Sequence, residues 1–257
     1  MAAVSYRPNE EKPSAHFAAS RRTEVSWGAS TSVGHVRLDN QDRWGHAHGK
    51  RFVVADGMGG TNGGAIAARV AVSEFLSSPL LSGGVIEPAL RNINETVRQE
   101  TSSLGLQGAG TTLVGVLVHG SAFTAVSAGD SRLYRRRGHK VELLTTDHTL
   151  RNLRISEGLA PDTPDPRGRP DALTSYFGSQ DRYHQIDIRV FEAEPQDRLL
   201  LCTDGVHGQI PPSALTQILL SPGDSATTAD LLVRAADLAG GHDNATALVI
   251  DYQGYLP

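Results

Sequence analysis

The chain has 257 residues, of which 39% are hydrophobic and 20% are charged, and its formal net charge is −4. These values are typical of a globular protein with one large domain or two small ones, and they exclude the disordered and membrane-embedded classes. The negative charge argues against binding to nucleic acid through a general basic surface. The one cysteine, Cys202, excludes an internal disulfide, and its apolar neighbours predict a buried structural thiol.

The beginning of the chain is polar and lacks a sustained periodicity. We therefore expect residues 1–22 to form a flexible N-terminal leader and residues 23–257 to form a single domain. No charged segment followed by an apolar core opens the chain, and the longest apolar runs are too short for a membrane-spanning helix. The expectation is a cytoplasmic protein without a membrane partner.

Apolar residues recur at strand and helix spacings from residue 23 onward. In chain order, this spacing predicts strands over 23–31 and 43–56, and then helices over 63–78 and 85–104. Four short strands follow, whose spacing predicts an antiparallel meander, over 110–120, 121–130, 131–138 and 140–146.

The second half of the chain also contains predicted helices and strands in turn. Residues 147–158 are predicted to form a helix with Asp147 as N-cap and Gly158 as its stop, and the Pro-rich and Asp-rich residues 159–175 predict a long exposed loop. The remaining predicted elements are strands over 183–194 and 197–205, helices over 211–221 and 225–240, and a strand over 244–252. This order favours an α+β domain with helices packed outside antiparallel sheets.

Five aspartates stand at the ends of apolar strands, mostly beside glycine: Asp42, Asp56, Asp130, Asp204 and Asp243. A carboxylate at a buried strand end is costly unless a positive group neutralises it, and few lysines lie nearby in the sequence. Mg²⁺ and Mn²⁺ accept oxygen ligands and need few protein carboxylates. Neighbouring glycines let a main-chain carbonyl approach and leave space for an ion and a substrate. One such aspartate usually marks a turn, but five favour metal binding.

The sequence does not contain the motifs of other enzyme classes at the spacing that they require. The glycine-rich segment 57–64 has Asn62 where a dinucleotide-binding fingerprint needs its third glycine. The sequence contains no P-loop, no G-x-S-x-G serine elbow, no H-E-x-x-H zinc motif and no EF-hand loop. Hydrolysis through a nucleophilic serine or cysteine is therefore unsupported.

Taken together, five blocks resemble the metal-dependent protein serine/threonine phosphatases of the PP2C type (PPM family), in particular bacterial members. In order, they are "GHVRLDNQD" from residue 34, "VVADGMGG" from 53, "GTT" from 110 with "AGDSRLY" from 128, "LTTDHTL" from 144, and "LCTDG" from 201 with "HDNATALVI" from 242. The ordered set is far more specific than any single block. It implies a four-layer sandwich of two antiparallel β-sheets flanked by pairs of helices.

The resemblance also implies a site for two Mn²⁺ or Mg²⁺ ions. Asp56 would bridge the two ions, and the carbonyl of Gly57 would complete the coordination of one. Asp204 and Asp243 would hold the other. Asp130 matches a position that helps to bind a third ion in bacterial members.

The implied reaction is hydrolysis of phosphoserine and phosphothreonine on proteins, by direct attack of a water or hydroxide that bridges two metal ions. Asp42 would orient metal-bound water, and Arg37 would bind the substrate phosphate through its planar donors. The implied partners are phosphorylated proteins that a serine/threonine kinase supplies. We expect a monomer that binds neither nucleic acid nor membranes.

Three departures from the family pattern limit what the resemblance implies. Met58 stands where many members have a histidine that is a proposed general acid, and methionine cannot donate that proton. Gln41 and Ala65 each stand where glutamate is common. Residues 159–175 correspond to the flap of bacterial members and have an idiosyncratic sequence, so substrate choice is expected to depend on them.

Two alternatives stay open. One is a catalytically weak regulatory pseudo-phosphatase, although such proteins usually lose ligand aspartates and this sequence keeps them. The other is a non-catalytic module that binds divalent ions or phosphopeptides. Turnover of a phosphomonoester with Mn²⁺, abolished by EDTA, separates both alternatives from the enzyme.

Overall fold

The computed structural model describes residues 16–19, 25–162, 169–180 and 185–254. The strands in chain order are β1 (His16–Ala19), β2 (Val25–Ser32), β3 (Arg43–Ala47), β4 (Arg51–Ala55), β5 (Gly57–Met58), β6 (Gly110–Thr111), β7 (Leu113–His119), β8 (Ala122–Ala128), β9 (Arg132–Arg137), β10 (Lys140–Leu143), β11 (Asp187–Glu192), β12 (Arg198–Cys202) and β13 (Ala245–Tyr252). The helices are α1 (Gly60–Ser77), α2 (Pro79–Ser82), α3 (Ile86–Ser103), α4 (Leu150–Ser156), α5 (Asp204–His207), α6 (Pro212–Leu220) and α7 (Ser225–Leu238).

Two antiparallel sheets pack face to face. One has six strands in the order β1-β2-β13-β12-β9-β10, and the other has five in the order β11-β8-β7-β4-β3. The helices α1 and α3 cover the outer face of the five-stranded sheet, and α6 and α7 cover the outer face of the six-stranded sheet. The predicted four-layer α+β class is therefore confirmed. No helix in the described ranges is long and apolar enough to cross a membrane.

Strands that are buried on both faces explain the continuous apolar runs of the sequence. In β12, Leu199 and Leu201 pack between the sheets, whereas Leu200 and Cys202 pack against the helices. Both faces of such a strand exclude water, so alternation of polar and apolar residues disappears. Cys202 is fully buried, and burial raises the pKa of its thiol, which confirms a structural role.

The structure corrects two strand predictions. Residues 43–56 form a hairpin rather than one strand, because His48 and Gly49 both adopt positive φ angles and turn the chain between β3 and β4. The four strands after residue 110 do not form one meander. β7 and β8 pair in the five-stranded sheet, and β9 and β10 pair in the six-stranded sheet, so the chain changes sheets at residues 129–131.

One local prediction about a helix is also wrong. The N-cap of α4 is Thr149, whose hydroxyl accepts a hydrogen bond from the Asn152 amide, whereas Asp147 forms a two-point ion pair with Arg132. Residues 16–19, within the predicted flexible leader, form the edge strand β1. The rest of that leader lies outside the described residues.

Close packing of α7 on β2 generates a test of the fold. A Cβ atom on Gly28 would lie 2.3 Å from the Cα atom of Ala226 at the start of α7. We expect Gly28→Ala to lower the free energy of unfolding by about 1–3 kcal/mol, because the helix backbone must move. Thermal or denaturant unfolding measures the effect. Gly83→Ala is the control, since the nearest atoms to a Cβ there lie 3.6 Å away, and equal stability of both variants would refute this packing.

Candidate metal centre

Strand pairing brings the predicted carboxylates to one end of the sandwich. Asp42 and Asp56 are neighbours because β3 and β4 are antiparallel and pair Arg43 with Ala55. The pairing of β4 with β7 and of β7 with β8 places Asp130, which follows β8, at the same end.

The six-stranded sheet supplies the other two carboxylates. Cys202 of β12 pairs with Ala247 of β13, so Asp204, after β12, meets Asp243, before β13. The antiparallel ladder thus holds together two predicted ligands that lie 39 residues apart in sequence. Both sheets are needed to form the site.

An open cleft of about 610 Å³ lies at this end of the sandwich. Six of the predicted site residues line it, namely Arg37, Asp56, Gly57, Asp130, Asp204 and Asp243. Gln41 and Met58, which depart from the family pattern, line it as well. Asp42 is fully buried and lies behind the cleft rather than on its surface. This placement is compatible with a residue that acts through water or through neighbours.

The backbone of Asp56 is fixed by the two threonines of the "GTT" block. The carbonyl of Asp56 accepts hydrogen bonds from the hydroxyl of Thr111 (2.8 Å) and from the amide of Thr112 (2.9 Å). The amide of Asp56 donates to the hydroxyl of Thr112 (3.0 Å), which also contacts the hydroxyl of Ser131 (2.7 Å). The carboxylate therefore points into the cleft from an immobilised strand end.

Asp42 is held by two threonine hydroxyls. Thr203 donates to the Oδ2 atom of Asp42 at 2.8 Å, and Thr246 is a second hydrogen-bond partner of the same carboxyl group. The Thr203 hydroxyl also accepts the Thr246 amide proton at 3.0 Å. Because Thr203 directly precedes Asp204, this network links the buried carboxyl group to the position of a predicted metal ligand.

The loop that carries Arg37 is wrapped around the side chain of Asn244. The amide nitrogen of Asn244 donates to the carbonyls of Val33 (2.9 Å) and Asp39 (3.0 Å), and its oxygen accepts the Gln41 amide proton at 2.8 Å. These contacts bracket Arg37 on both sides. The surface loop is thereby hydrogen-bonded to the start of β13.

Arg37 reaches from this loop to the carboxylates. Its Nη2 atom donates to the Oδ2 atom of Asp243 at 2.7 Å, while 57% of its side chain stays exposed. The hydrogen bond and charge of Asp243 raise the pKa of Arg37, with smaller contributions from Asp56 and Asp204. The guanidinium is thus charged and available to an anion that enters the cleft.

Two histidines position the loop of Asp130. His207, on α5, donates from Nε2 to the carbonyl of Asp130 at 2.9 Å, and burial lowers the pKa of His207 to about 4, so the ring is neutral. The amide of Gly129 donates to Nδ1 of the buried His148 at 3.2 Å. Asp130 is therefore connected both to the helix that begins at Asp204 and to the segment before α4.

Glycine at position 57 permits a close approach of α1. A Cβ atom there would lie 2.2 Å from the carbonyl oxygen of Gly64, inside the first two turns of the helix. The helix begins at Gly60, three residues before the predicted start, and Gln41 donates from Nε2 to the carbonyl of Gly60 at 2.9 Å. The glycines thus serve backbone packing as well as open space beside the carboxylate.

Crowding and burial disfavour ionisation of the carboxylates. Burial, followed by the charges of Asp42 and Asp204, raises the pKa of Asp56 well above its usual range, and Asp56 and Asp204 are close enough to share a hydrogen bond. Burial, followed by the charge of Asp243, raises the pKa of Asp204. Burial likewise raises the pKa of Asp42 and of Asp130 to about 7. A bound cation would reverse these shifts.

The residues fit a hard divalent cation. The Oδ1 atom of Asp204 is buried and has no hydrogen-bond partner among the described residues, although its carboxylate lines the cleft. Within the same described ranges, no group of three or more Asp, Glu, His or Cys side chains is arranged to hold a metal ion by itself. An ion here would have few carboxylate ligands and several waters, which is how Mg²⁺ commonly binds.

Several residues that hold the predicted metal ligands in place were not predicted from the sequence. Thr203 and Asn244 stand beside predicted ligands in "CTDG" and "HDNAT", so their position in those motifs was an available signal. Thr246 lies two residues further along the same motif. His207 had no such signal, because its contact with Asp130 depends on how α5 packs.

Comparisons with known proteins identify the family of this chain. The protein phosphatase 2C family model matches residues 31–230. The serine/threonine phosphatase stp of Listeria monocytogenes is 32% identical over 241 residues, which cover 86% of this chain and 93% of that protein. The protein phosphatase PhpP of Streptococcus pneumoniae is 30% identical over 233 residues, which cover 86% and 94% respectively.

Solved structures show the same fold. The Mycobacterium tuberculosis serine/threonine phosphatase PstP/Ppp superposes with a TM-score of 0.77 at 27% identity, covering 89% of this chain and 99% of that one. The catalytic domain of PstP in complex with two manganese ions superposes with a TM-score of 0.75 at 28% identity, covering 88% and 97%. The chain belongs to the protein phosphatase 2C family of serine/threonine phosphatases.

Proposed function

We propose that this protein hydrolyses phosphoserine and phosphothreonine on proteins, with two Mn²⁺ or Mg²⁺ ions bound in the cleft. The observation that carries the proposal is the convergence of three buried or half-buried carboxylates and one charged guanidinium on a single cleft: Asp56, Asp204, Asp243 and Arg37. The manganese complex of PstP supports the choice of metal, because the fold and the family are the same.

Each residue has a separate task in the proposed site. Asp56 and the carbonyl of Gly57 would hold one ion, and Asp56 would also contact a second ion held by Asp204 and Asp243. Such a pair of ions acidifies water and neutralises charge on phosphoryl oxygens. Asp130 would contribute to a third ion.

Two residues would act on water and on substrate. Asp42, fixed by Thr203 and Thr246, would orient water at the back of the cleft. Arg37 would exchange its contact with Asp243 for the phosphate, whose oxygens match a planar guanidinium. No side chain in this scheme becomes phosphorylated.

The proposal also covers the substrates, the oligomeric state and the extent of the catalytic domain. We propose phosphorylated proteins made by a serine/threonine kinase as substrates, a monomer, and a single catalytic domain over residues 23–257. A cytoplasmic location and the absence of a nucleic-acid or membrane partner stay predictions. The pseudo-phosphatase and binding-module alternatives gain no support, since four of the five predicted carboxylates line one cleft: Asp56, Asp130, Asp204 and Asp243.

Among the predictions for the proposed site, the first concerns Asp204. Wild-type protein with Mn²⁺ should hydrolyse p-nitrophenyl phosphate and a phosphothreonine peptide, and EDTA should abolish both activities. Asp204→Asn should lower kcat/KM at least about a hundredfold, because it removes ligand charge. In EDTA the same variant should melt at a higher temperature than wild type, since one charge leaves a crowded site.

The control for this experiment is Asp230→Asn on α7, a half-buried partner of Arg234 that lies outside the cleft, and it should keep wild-type activity. Mn²⁺ should raise the melting temperature of wild type and of the control much more than that of Asp204→Asn. Wild-type turnover by Asp204→Asn would refute its role as a ligand. Absence of turnover by wild type with both Mn²⁺ and Mg²⁺ would refute the enzymatic proposal.

The second prediction concerns Arg37. Arg37→Ala should raise KM for phosphopeptides by about tenfold or more with a smaller change in kcat, because a charge-assisted contact to the phosphate is lost. Arg37→Lys should recover only part of the loss, since lysine lacks the planar pair of donors. Steady-state kinetics at saturating Mn²⁺ separate this effect from metal affinity. An unchanged KM would mean that another group binds the phosphate.

The third prediction concerns Met58. Because methionine cannot protonate a leaving group, Met58→His should raise kcat/KM for a phosphothreonine peptide by about tenfold, with a smaller effect on p-nitrophenyl phosphate, whose leaving group needs no proton. Met58→Leu is the volume-matched control and should favour neither substrate. Equal effects of Met58→His on both substrates would argue against a missing proton donor at this position.

A further inference from the structure

Apolar side chains flank the proposed phosphate-binding arginine. Val36 is 62% exposed and Leu38 is 96% exposed, and both line the cleft on either side of Arg37 in the chain. Met58 and Leu173 also line the cleft and are half-buried. These four residues, Val36, Leu38, Met58 and Leu173, form an apolar rim around the carboxylates.

Packing within the chain does not account for this rim. None of its four residues belongs to the three apolar cores of the described chain. A single exposed leucine is common on protein surfaces, but several apolar side chains on the wall of a polar cleft are typical of a ligand site. The contacts of Asn244 hold the loop of Val36 and Leu38 in place, so the rim is preformed.

We propose that the apolar rim binds apolar side chains directly beside the phosphorylated residue, and so selects phosphoprotein segments with such neighbours. This inference rests on the proposed function, because Arg37 must hold the phosphate for the rim to meet the flanking residues. Consecutive Cα atoms of a peptide lie about 3.8 Å apart. Val36 and Leu38 adjoin Arg37 in the chain and line the same cleft, so side chains beside a phosphoresidue held at Arg37 would come within reach of them.

Charge and exposure favour a peptide over other occupants. The rim is continuous with the cleft that holds the predicted phosphate site, and a phosphopeptide supplies an anion for Arg37 together with apolar groups for Leu38. An apolar surface without an anion would offer Arg37 nothing in exchange for its contact with Asp243. A second copy of the chain would have to satisfy the same polar groups.

The test measures binding and turnover separately. Two labelled peptides carry a non-hydrolysable phosphonate analogue of phosphothreonine, one flanked by leucine on both sides and the other flanked by serine. Fluorescence anisotropy with Mn²⁺ gives the two dissociation constants. The variants are Leu38→Ser and Val36→Thr. The matched control is Leu104→Ser, at the end of α3, where an exposed leucine (56%) lies outside the cleft.

We expect wild type and Leu104→Ser to bind the leucine-flanked peptide about tenfold more tightly than the serine-flanked one, from partial burial of one leucine side chain. Leu38→Ser should reduce that ratio to about two or less, and Val36→Thr should reduce it by a smaller factor.

Several outcomes would overturn the inference. They are equal affinities for the two peptides in wild type, no binding of either peptide, or an unchanged ratio in both rim variants. A further contrary outcome is that Leu38→Ser turns a dimer into a monomer in sedimentation without changing the ratio, which would make the rim an interface between copies. Turnover of p-nitrophenyl phosphate by the same wild-type preparation tests the proposed function independently. Turnover without a peptide preference would contradict this inference alone.

Discussion

The burial of several carboxylates close together, with the mutual repulsion that follows, is the constraint on which the rest of the site depends. Four aspartates at one end of the sandwich have raised pKa values, in each case first because of burial and then because of neighbouring charge: Asp42, Asp56, Asp130 and Asp204. A fold without a counter-ion would favour separating or protonating these groups. A divalent cation removes both the repulsion and part of the desolvation cost. The stability of the fold and the binding of metal are therefore linked.

A rigid scaffold is needed to keep such groups together. Hydroxyl and amide side chains supply it by accepting backbone amide protons: Thr112 accepts from Asp56, Thr203 from Thr246, and Asn244 from Gln41. These contacts join strands from both sheets. The sandwich therefore holds the proposed metal ligands in position, which explains why the informative sequence blocks are spread over most of the chain.

Local patterns in the sequence were sufficient to predict most of the strands and helices and the carboxylates of the site. Buried strands and amphipathic helices have periodicities that survive without tertiary information, and strand-end aspartates beside glycine identified the carboxylates that the structure brings together. The membership of strands in a sheet was not predictable in this way. The chain crosses between sheets at residues 129–131, and only packing against the helices decides which side each hairpin joins.

Competition between nearby residues explains the local errors. Asp147 and Thr149 are both acceptable N-caps, but Arg132 of the neighbouring strand pairs with Asp147 and leaves Thr149 to cap the helix. The His48–Gly49 turn was missed because histidine rarely adopts a positive φ angle. Likewise, the glycines after Asp56 were assigned to open space, whereas Gly57 and Gly64 permit a close contact between backbones.

The position of bound metal tests the central claim most directly. Anomalous diffraction at the manganese edge, from crystals of the protein grown with Mn²⁺, locates each ion without reference to activity. The account predicts two ions in the cleft, both in contact with Asp56, with Asp204 and Asp243 as ligands to one of them. Ions elsewhere on the protein, or a cleft in which Asp56 contacts none, would contradict it.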